Sequence, residues 1–193
     1  MISEDYRGLA CPVPVIKTKQ ALERAGGAPV TVMVDDGASR ENILRFARTR
    51  GCGVQEEACD NGWQITLVPD SSRQPQQPLA ASGHQAILIG SDRFGDGADE
   101  LGRLLMKNFI ITLLELPTLP ESIFFINSGV FLTTEGSELL EPLHKLAAAG
   151  VGVFSCGVCL DYFGLRDKLA AGSVTNMFTI AEKMLAAGNS LRI

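Results

Sequence analysis

Histidine is scarce in this chain: His84 and His144 are the only two among 193 residues. A structural zinc ion takes four nitrogen or sulfur ligands, and one Cys-x-x-Cys pair supplies only half of them. No metal site is expected, short of one shared between subunits. Positive charge is also lacking, with Lys+Arg at 17 against Asp+Glu at 22 and a net charge of -5. Without a basic stripe to neutralise phosphates, nucleic acid is not an expected partner. Long hydrophobic runs are missing too. The most apolar stretch, Phe109 to Leu116, is interrupted by Thr112 and Glu115 and is far too short to span a bilayer. The opening Met-Ile-Ser-Glu-Asp-Tyr-Arg has no charged-then-apolar order of an export signal. These absences predict a cytoplasmic protein with no membrane partner, and no motif calls for a cofactor.

What the chain does have is apolar residues, 46% of the total, enough for real cores. It also has five cysteines, an odd number that a disulfide framework does not suit. In a reducing compartment such cysteines are structural, metal-binding or reactive. The stretch Asp70 to Gly83, DSSRQPQQPLAASG, has neither helical nor strand period and reads as a linker. It predicts a first domain over 1–69, a linker over 70–84 and a second domain over 85–193.

In the first domain, strand signals fall at Ser3 to Tyr6 and Val30 to Val34. A helix is predicted from Pro12 to about Ala25, with Val15, Thr18, Leu22 and Ala25 at helical spacing. Gly26-Gly27 ends it. Ser39 is placed to cap a second helix carrying Ile43, Leu44, Phe46 and Ala47. Val54 to Cys59 and Trp63 to Val68 read as a hairpin, with Asn61-Gly62 supplying the positive φ angles of its turn. The order βαβαββ predicts a two-layer sandwich with helices on one face of a mixed sheet. In the second domain, AILIG (Ala86 to Gly90), SIFFIN (Ser122 to Asn127), VGVFS (Val151 to Ser155) and Ser173 to Asn176 are strand candidates. Helices are predicted at about Ala98 to Leu114, Ser137 to Ala149 (with Pro142 marking a later start), Leu165 to Ala171 and Phe178 to Ala187. The alternation predicts a doubly wound parallel sheet.

The chemistry centres on Cys11. As N-cap of the first helix it would have Pro12 at N1 and Pro14 at N3, where the missing N–H groups have no intrahelical partner anyway. A thiolate is favoured at that positive end of the helix dipole, with Arg7 and Lys17 adding charge. The alternative is a buried structural cysteine before a proline-stiffened helix start. On spacing alone both stand. Cys52 and Cys59 are read as small packing residues.

In an open parallel sheet, reactive groups gather beyond the carboxyl ends of the strands. The residues that follow the four strands are Ser91-Asp92, Asn127-Ser128-Gly129, Cys156-Gly157-Val158-Cys159 and Asn176-Met177, so one rim would collect them all. The loop Gly90 to Gly97 carries Asp92 and Asp96, with Asp99 just beyond and no Lys. That argues against a phosphate cradle and for Asp96 or Asp99 capping the next helix. Cys156 and Cys159 are open to two readings, a redox pair or two core cysteines.

The run Arg7-Gly8-Leu9-Ala10-Cys11-Pro12-Val13-Pro14-Val15, with Thr18-Lys19 and Ala21-Leu22, resembles the TusA (SirA-like) sulfur-carrier family. That resemblance implies that Cys11 accepts a persulfide sulfur and passes it on. Gly150 to Cys156, with Leu160 and Gly164-Leu165, resembles the DsrE-like family, and implies that Cys156 is an acceptor and Cys159 an addition. The combination, with Asn127-Ser128-Gly129-Val130 and Thr175-Asn176-Met177, is similar to the YedF family, which is linked with selenium metabolism. The resemblance implies a sulfur or selenium relay loaded by a cysteine desulfurase-type or selenium donor protein. It also implies a homo-oligomer formed through the second domain. The rival expectations are a dithiol–disulfide oxidoreductase using Cys156 and Cys159, and a non-catalytic adaptor that docks on a sulfur-transfer partner.

Overall fold

The computed structural model describes residues 2–10, 12–70 and 85–193. Cys11, His84 and all but the first residue of the expected linker lie outside the described residues. The chain forms two compact units. The first runs β1 (Ile2–Asp5), α1 (Val13–Ala25), β2 (Val30–Val34), α2 (Ala38–Thr49), β3 (Gly53–Cys59), β4 (Gly62–Val68), the expected βαβαββ order. Its sheet order is β1-β2-β4-β3, with β1 parallel to β2 and the other pairs antiparallel. Alternate residues of the central β2, Val30, Val32 and Val34, are fully buried together with Ala21 of α1 and with Ile43 and Ala47 of α2. The two-residue strand period thus gives one sheet face to both helices. The hairpin turn is as expected: Asn61 has φ 61° and Gly62 φ 151°. Gly62 is also required by space, because a Cβ there would meet Val34 O at 2.3 Å.

Two helix starts in this unit depart from expectation. Pro12, not Cys11, is the N-cap of α1 (φ -93°, ψ 7°), which puts Val13 at N1 and Pro14 at N2. A preceding turn, Val13 N–H to Ala10 O at 3.0 Å, delays the helix by one residue. Both prolines still fall where no intrahelical N–H is missed. Ser39 does not cap α2. Gly37, at φ 83°, is its N-cap without a side-chain cap, and that left-handed glycine lets the chain enter the helix before Ser39 is reached.

The second unit runs β5 (Gln85–Ile89), α3 (Asp99–Leu113), β6 (Ser122–Phe125), a 3-10 segment Asn127–Thr133, α4 (Leu140–Ala148), β7 (Gly152–Cys156), α5 (Gly157–Tyr162), a second 3-10 segment Arg166–Lys168, β8 (Ser173–Thr175), α6 (Met177–Ala186) and β9 (Asn189–Arg192). All its strand pairs are parallel, in the order β8-β7-β6-β5-β9. One core joins Ile87, Ile89, Ile123, Phe125 and Val153 to Met106 and Ile110 of α3, Leu143 and Leu146 of α4, and Leu160 of α5. The opposite face of the sheet buries Ala86, Phe124 and Cys156 against Ile180 of α6. Helices therefore cover both faces, as a doubly wound sheet requires. The connections step one way from β5 to β8 and α6 then carries the chain back across the sheet to β9, so the strand order reverses, and the topological switch point lies, between β5 and β9.

Here too, local differences have local causes. The expected helix Leu165–Ala171 is only the 3-10 segment Arg166–Lys168, and the helix lies earlier, at α5. Neither Asp96 nor Asp99 caps α3. Ala98 is its N-cap with no side-chain cap, and Asp99 pairs with Arg93 instead. Pro142 sits at the third position of α4, inside its first turn. Among the described residues, no helix is long and apolar enough to cross a membrane.

Candidate functional site

In the first unit, Arg7 is held by its own strand. Its Nε donates to Asp5 Oδ1 at 2.9 Å and its Nη2 to Asp5 Oδ2 at 2.5 Å, while Nη1 reaches Asp60 O at 3.0 Å. The guanidinium beside it holds the Asp5 carboxyl at about 2. Arg7 thus braces the end of β1 against the β3–β4 turn, with most of its charge answered by Asp5. Lys17 lies over the ring of buried Tyr6, 5.7 Å from its centroid. Pro14 is buried and its carbonyl accepts the Thr18 hydroxyl at 2.7 Å. Gly8 N–H donates to Asp35 Oδ2 at 2.6 Å, tying the turn after β1 to the end of β2. Cys52 is half-buried against the core, where burial pushes its thiol up.

In the second unit, the strand-end residues divide into two groups. Asp92 lies at the β5 end, where its N–H donates to Ser128 Oγ at 3.3 Å. Its carboxylate faces Arg103 at 3.5 Å and Arg93 at 3.6 Å, so it serves ion pairs and not the thiols. Gly129 presses against the β5 backbone, since a Cβ there would meet Ile89 O at 2.5 Å. Asn127 belongs to the thiol group: with φ 49° it turns its N–H onto Cys159 Sγ at 3.1 Å. Asn176 caps α6, its side-chain oxygen accepting Thr179 N–H at 3.0 Å.

Cys156 ends β7 and is the N-cap of α5. Its side chain is 2% exposed, on the α6 face beside Phe124 and Phe154, whose rings stack with centroids 5.5 Å apart. Cys159, one turn along α5, touches the cores on both faces. Burial first, then the neighbouring Cys156, pushes the Cys159 thiol up, with the Asn127 N–H opposing. The rim at the carboxyl ends of β7 and β8 is apolar and open to solvent: Val158, Tyr162, Val174, Met177 and Phe178 are all exposed.

Arg166 has no counterpart among the sequence expectations. Its Nε and Nη2 grip Asp161 with both contacts at 2.5 Å, and Nη2 also donates to Gly157 O at 3.3 Å. The signal for it in the sequence was slight: an Asp and an Arg five residues apart across a glycine, Asp161-Tyr-Phe-Gly-Leu-Arg166. Helical spacing does not pair such residues.

Residues 4–68 match the family model described as Sulfurtransferase TusA. Within the chain, 51 residues are 48% identical to MJ0990 of Methanocaldococcus jannaschii, whose name proposes a sulfur carrier. The match covers 26% of this chain and 68% of that protein. The chain belongs to the TusA family. A SirA-like protein from Desulfitobacterium hafniense is 38% identical to this TusA-family chain, covering 35% of it and 96% of its own length, with a TM-score of 0.33. The ychN protein of E. coli is similar at 18% identity over 57% of this chain and 99% of its own, with a TM-score of 0.46. MTH1491 of Methanobacterium thermoautotrophicum, a protein of unknown function, is similar at 21% identity over 57% and 99%, with a TM-score of 0.42.

Proposed function

We propose that this protein carries sulfur, or selenium, as a cysteine-bound persulfide-type species, with Cys11 as its first carrier. The observation that carries this reading is the TusA match over residues 4–68, a span that contains the Cys11-Pro12-Val13-Pro14 motif. A cysteine desulfurase-type or selenium donor protein loads Cys11. Cys156, in a second unit that resembles DsrE-like domains, is the acceptor, and the pairing of the two gives a YedF-like relay in selenium metabolism. Homo-oligomerisation through the second unit and a cytoplasmic setting belong to the same reading.

The transfer step balances without an outside oxidant. The Cys156 thiolate attacks the outer sulfur of the Cys11 persulfide, a new S–S bond forms, the old one breaks, and Cys11 leaves as a thiolate. Cys159 then resolves the product by attacking Sγ of Cys156. That step forms a disulfide, releases hydrosulfide and reduces the carried sulfur by the two electrons the thiols lose. Tethering the two carriers on one chain raises the effective concentration of each near the other.

The test is loading. After incubation with a cysteine desulfurase and cysteine, mass spectrometry of the full chain is expected to show one added sulfur on Cys11 and none in Cys11→Ser. No addition on Cys11, under conditions that load a known carrier, sinks the reading. The placement of Cys156 at the N-cap of α5 and Cys159 in its first turn favours a second reading, dithiol–disulfide exchange. That reading requires a reversible two-electron potential that Cys159→Ser abolishes and Cys11→Ser leaves intact.

A further inference from the structure

We propose that the backbone N–H of Asn127 is the donor that receives the Cys159 thiolate when Cys159 resolves a persulfide on Cys156. This assignment rests on the resolving role given to Cys159 above, and adds the group that makes that thiol usable.

The contact is direct, from the Asn127 N–H to Cys159 Sγ at 3.1 Å. The donor is also fixed before any charge forms. On one side of Asn127, Ile126 N–H donates to Ile89 O at 2.9 Å, and on the other Gly129 N–H donates to Ile126 O at 2.9 Å. Asp92 N–H donates to Ser128 Oγ at 3.3 Å. Gly129 lies so close to β5 that a Cβ there would stand 2.5 Å from Ile89 O. The loop is thus clamped to the end of β5 on both sides of the donor. Asn127 itself holds φ 49° and is exposed, so its backbone serves the sulfur.

The chemistry needs such a donor. Cys159 packs against apolar residues of both cores, surroundings that resist the thiolate an attack requires. A preorganised N–H is worth most in a place like this. The charged side chains of the neighbouring elements are spent elsewhere. Asp161 of α5 pairs with Arg166, Asp92 faces Arg93 and Arg103, and Lys183 of α6 faces Glu121. Asp167, Lys168 and Glu182 are exposed. Burial and the neighbouring Cys156 both push the Cys159 thiol up, and the Asn127 N–H opposes them. In the step itself, Cys159 first gives its proton to solvent. Its thiolate then attacks Sγ of the Cys156 persulfide, the disulfide forms, and hydrosulfide leaves with the electron pair of the broken S–S bond.

Amide hydrogen exchange in the full chain tests the contact, and thiol kinetics test its use. Exchange at Asn127 is expected to quicken about tenfold in Cys159→Ala, the scale of one hydrogen bond lost. Equal exchange in parent and variant overturns the assignment. Asn127→Val puts a β-branched residue at a φ that such residues avoid, which turns the donor away. Iodoacetamide alkylation of Cys159 at pH 7, read by fragment mass spectrometry, should then slow about threefold. The thiolate population falls about tenfold, while the more basic thiolate that remains is about threefold more reactive. Asn127→Gly, which accepts this φ, should rescue the rate that Asn127→Val loses. A Val variant that melts lower yet alkylates like the parent makes Asn127 merely structural and overturns the assignment. Where that variant does not fold, exchange in Cys159→Ala decides. In a Cys11→Ser background, hydrosulfide release from polysulfide-treated protein should fall on adding Cys159→Ala. Undiminished release removes the resolving role and the Asn127 assignment with it, whereas a parent that never loads Cys11 overturns only the relay.

Discussion

The backbone N–H of Asn127, just beyond β6, donates to Sγ of Cys159 at 3.1 Å. Asn127 reaches it from a left-handed conformation, φ 49°, which asparagine tolerates better than most residues. One loop is thereby tied to the thiol that follows the neighbouring strand. The contact also offsets part of the burial that pushes the Cys159 thiol above its ordinary 9.0.

Cys159 should therefore remain a neutral thiol at pH 7, and its resolving attack must wait on loss of that proton. Its alkylation midpoint is expected above 9.0. The same sign applies to stability. An acid whose folded value is raised stabilises the fold fully below the unfolded value, and that contribution is lost as pH rises through the folded one. Burial also raises Cys52, so melting temperature should fall through the alkaline range. Replacing both thiols by Ala should flatten that fall. A fall of equal steepness in the double variant would refute the assignment to these thiols.

Gly129 tests the rim mechanically. Its absent Cβ would lie 2.5 Å from the carbonyl oxygen of Ile89 and 3.2 Å from its carbon. Both are backbone atoms of β5, so the neighbour cannot swing aside. Gly129→Ala is expected to cost about 2–4 kcal/mol in urea unfolding, through displaced backbone and overpacking. A loss under about 0.5 kcal/mol, the scale of an ordinary surface change, would show that the loop has room to yield.

How far the sequence revealed this molecule depended on the strength of each local signal. β2 and β5 were legible because Val30 to Val34, apolar but for the β-branched Thr31, and Ala86 to Ile89, apolar throughout, are short runs bounded by turns. Asn61-Gly62 announced its hairpin because few pairs accept that turn. β9, Asn189–Arg192, escaped because an edge strand with every residue exposed has no hydrophobic alternation to display. α5 escaped because six residues beginning with glycine are too short for a helical period, whereas the apolar spacing of Leu165–Ala171 imitates one. The cysteines were visible by type alone. Arg166 was not, because its place depends on what Gly157 lacks, and only the folded backbone brings the two together.

The first unit should show an acid transition of opposite sign. The Arg7 hydrogen bond and charge lower the Asp5 carboxyl to about 2, from 3.8. The Tyr6 hydroxyl, donating at 2.7 Å, and Arg24 hold Glu4 below its ordinary range. A carboxyl with a lowered folded value stabilises the fold above its unfolded value and loses that contribution as pH falls through the folded one. Melting temperature should thus hold down to about pH 4 and fall between there and pH 2. Tyr6→Phe removes the strongest of the Glu4 contacts. The Glu4 midpoint by NMR should rise, at a stability cost of about 1 kcal/mol. An unmoved Glu4 midpoint would place the cause elsewhere.

Ser155, the residue before Cys156, bears on how firmly the reactive end of β7 is held. Its hydroxyl lies 2.7 Å from that of Thr133, which itself donates to Val130 O at 2.9 Å, and both side chains are fully buried. Since Thr133 spends its hydrogen on Val130, Ser155 must be the donor between them. Thr133 O also accepts the N–H groups of Ala170 and Ala171, each at 2.9 Å, so this residue joins β7 to the approach to β8. Thr133→Val would strand a buried Ser155 donor and is expected to cost about 2 kcal/mol, whereas Ser155→Ala should cost about 1 kcal/mol. The double variant leaves no stranded donor. Its loss in urea unfolding should stay close to that of Thr133→Val alone, a coupling of about 1 kcal/mol. A strictly additive loss would mean that the two hydroxyls contribute separately and that β7 is anchored by its backbone ladder without them.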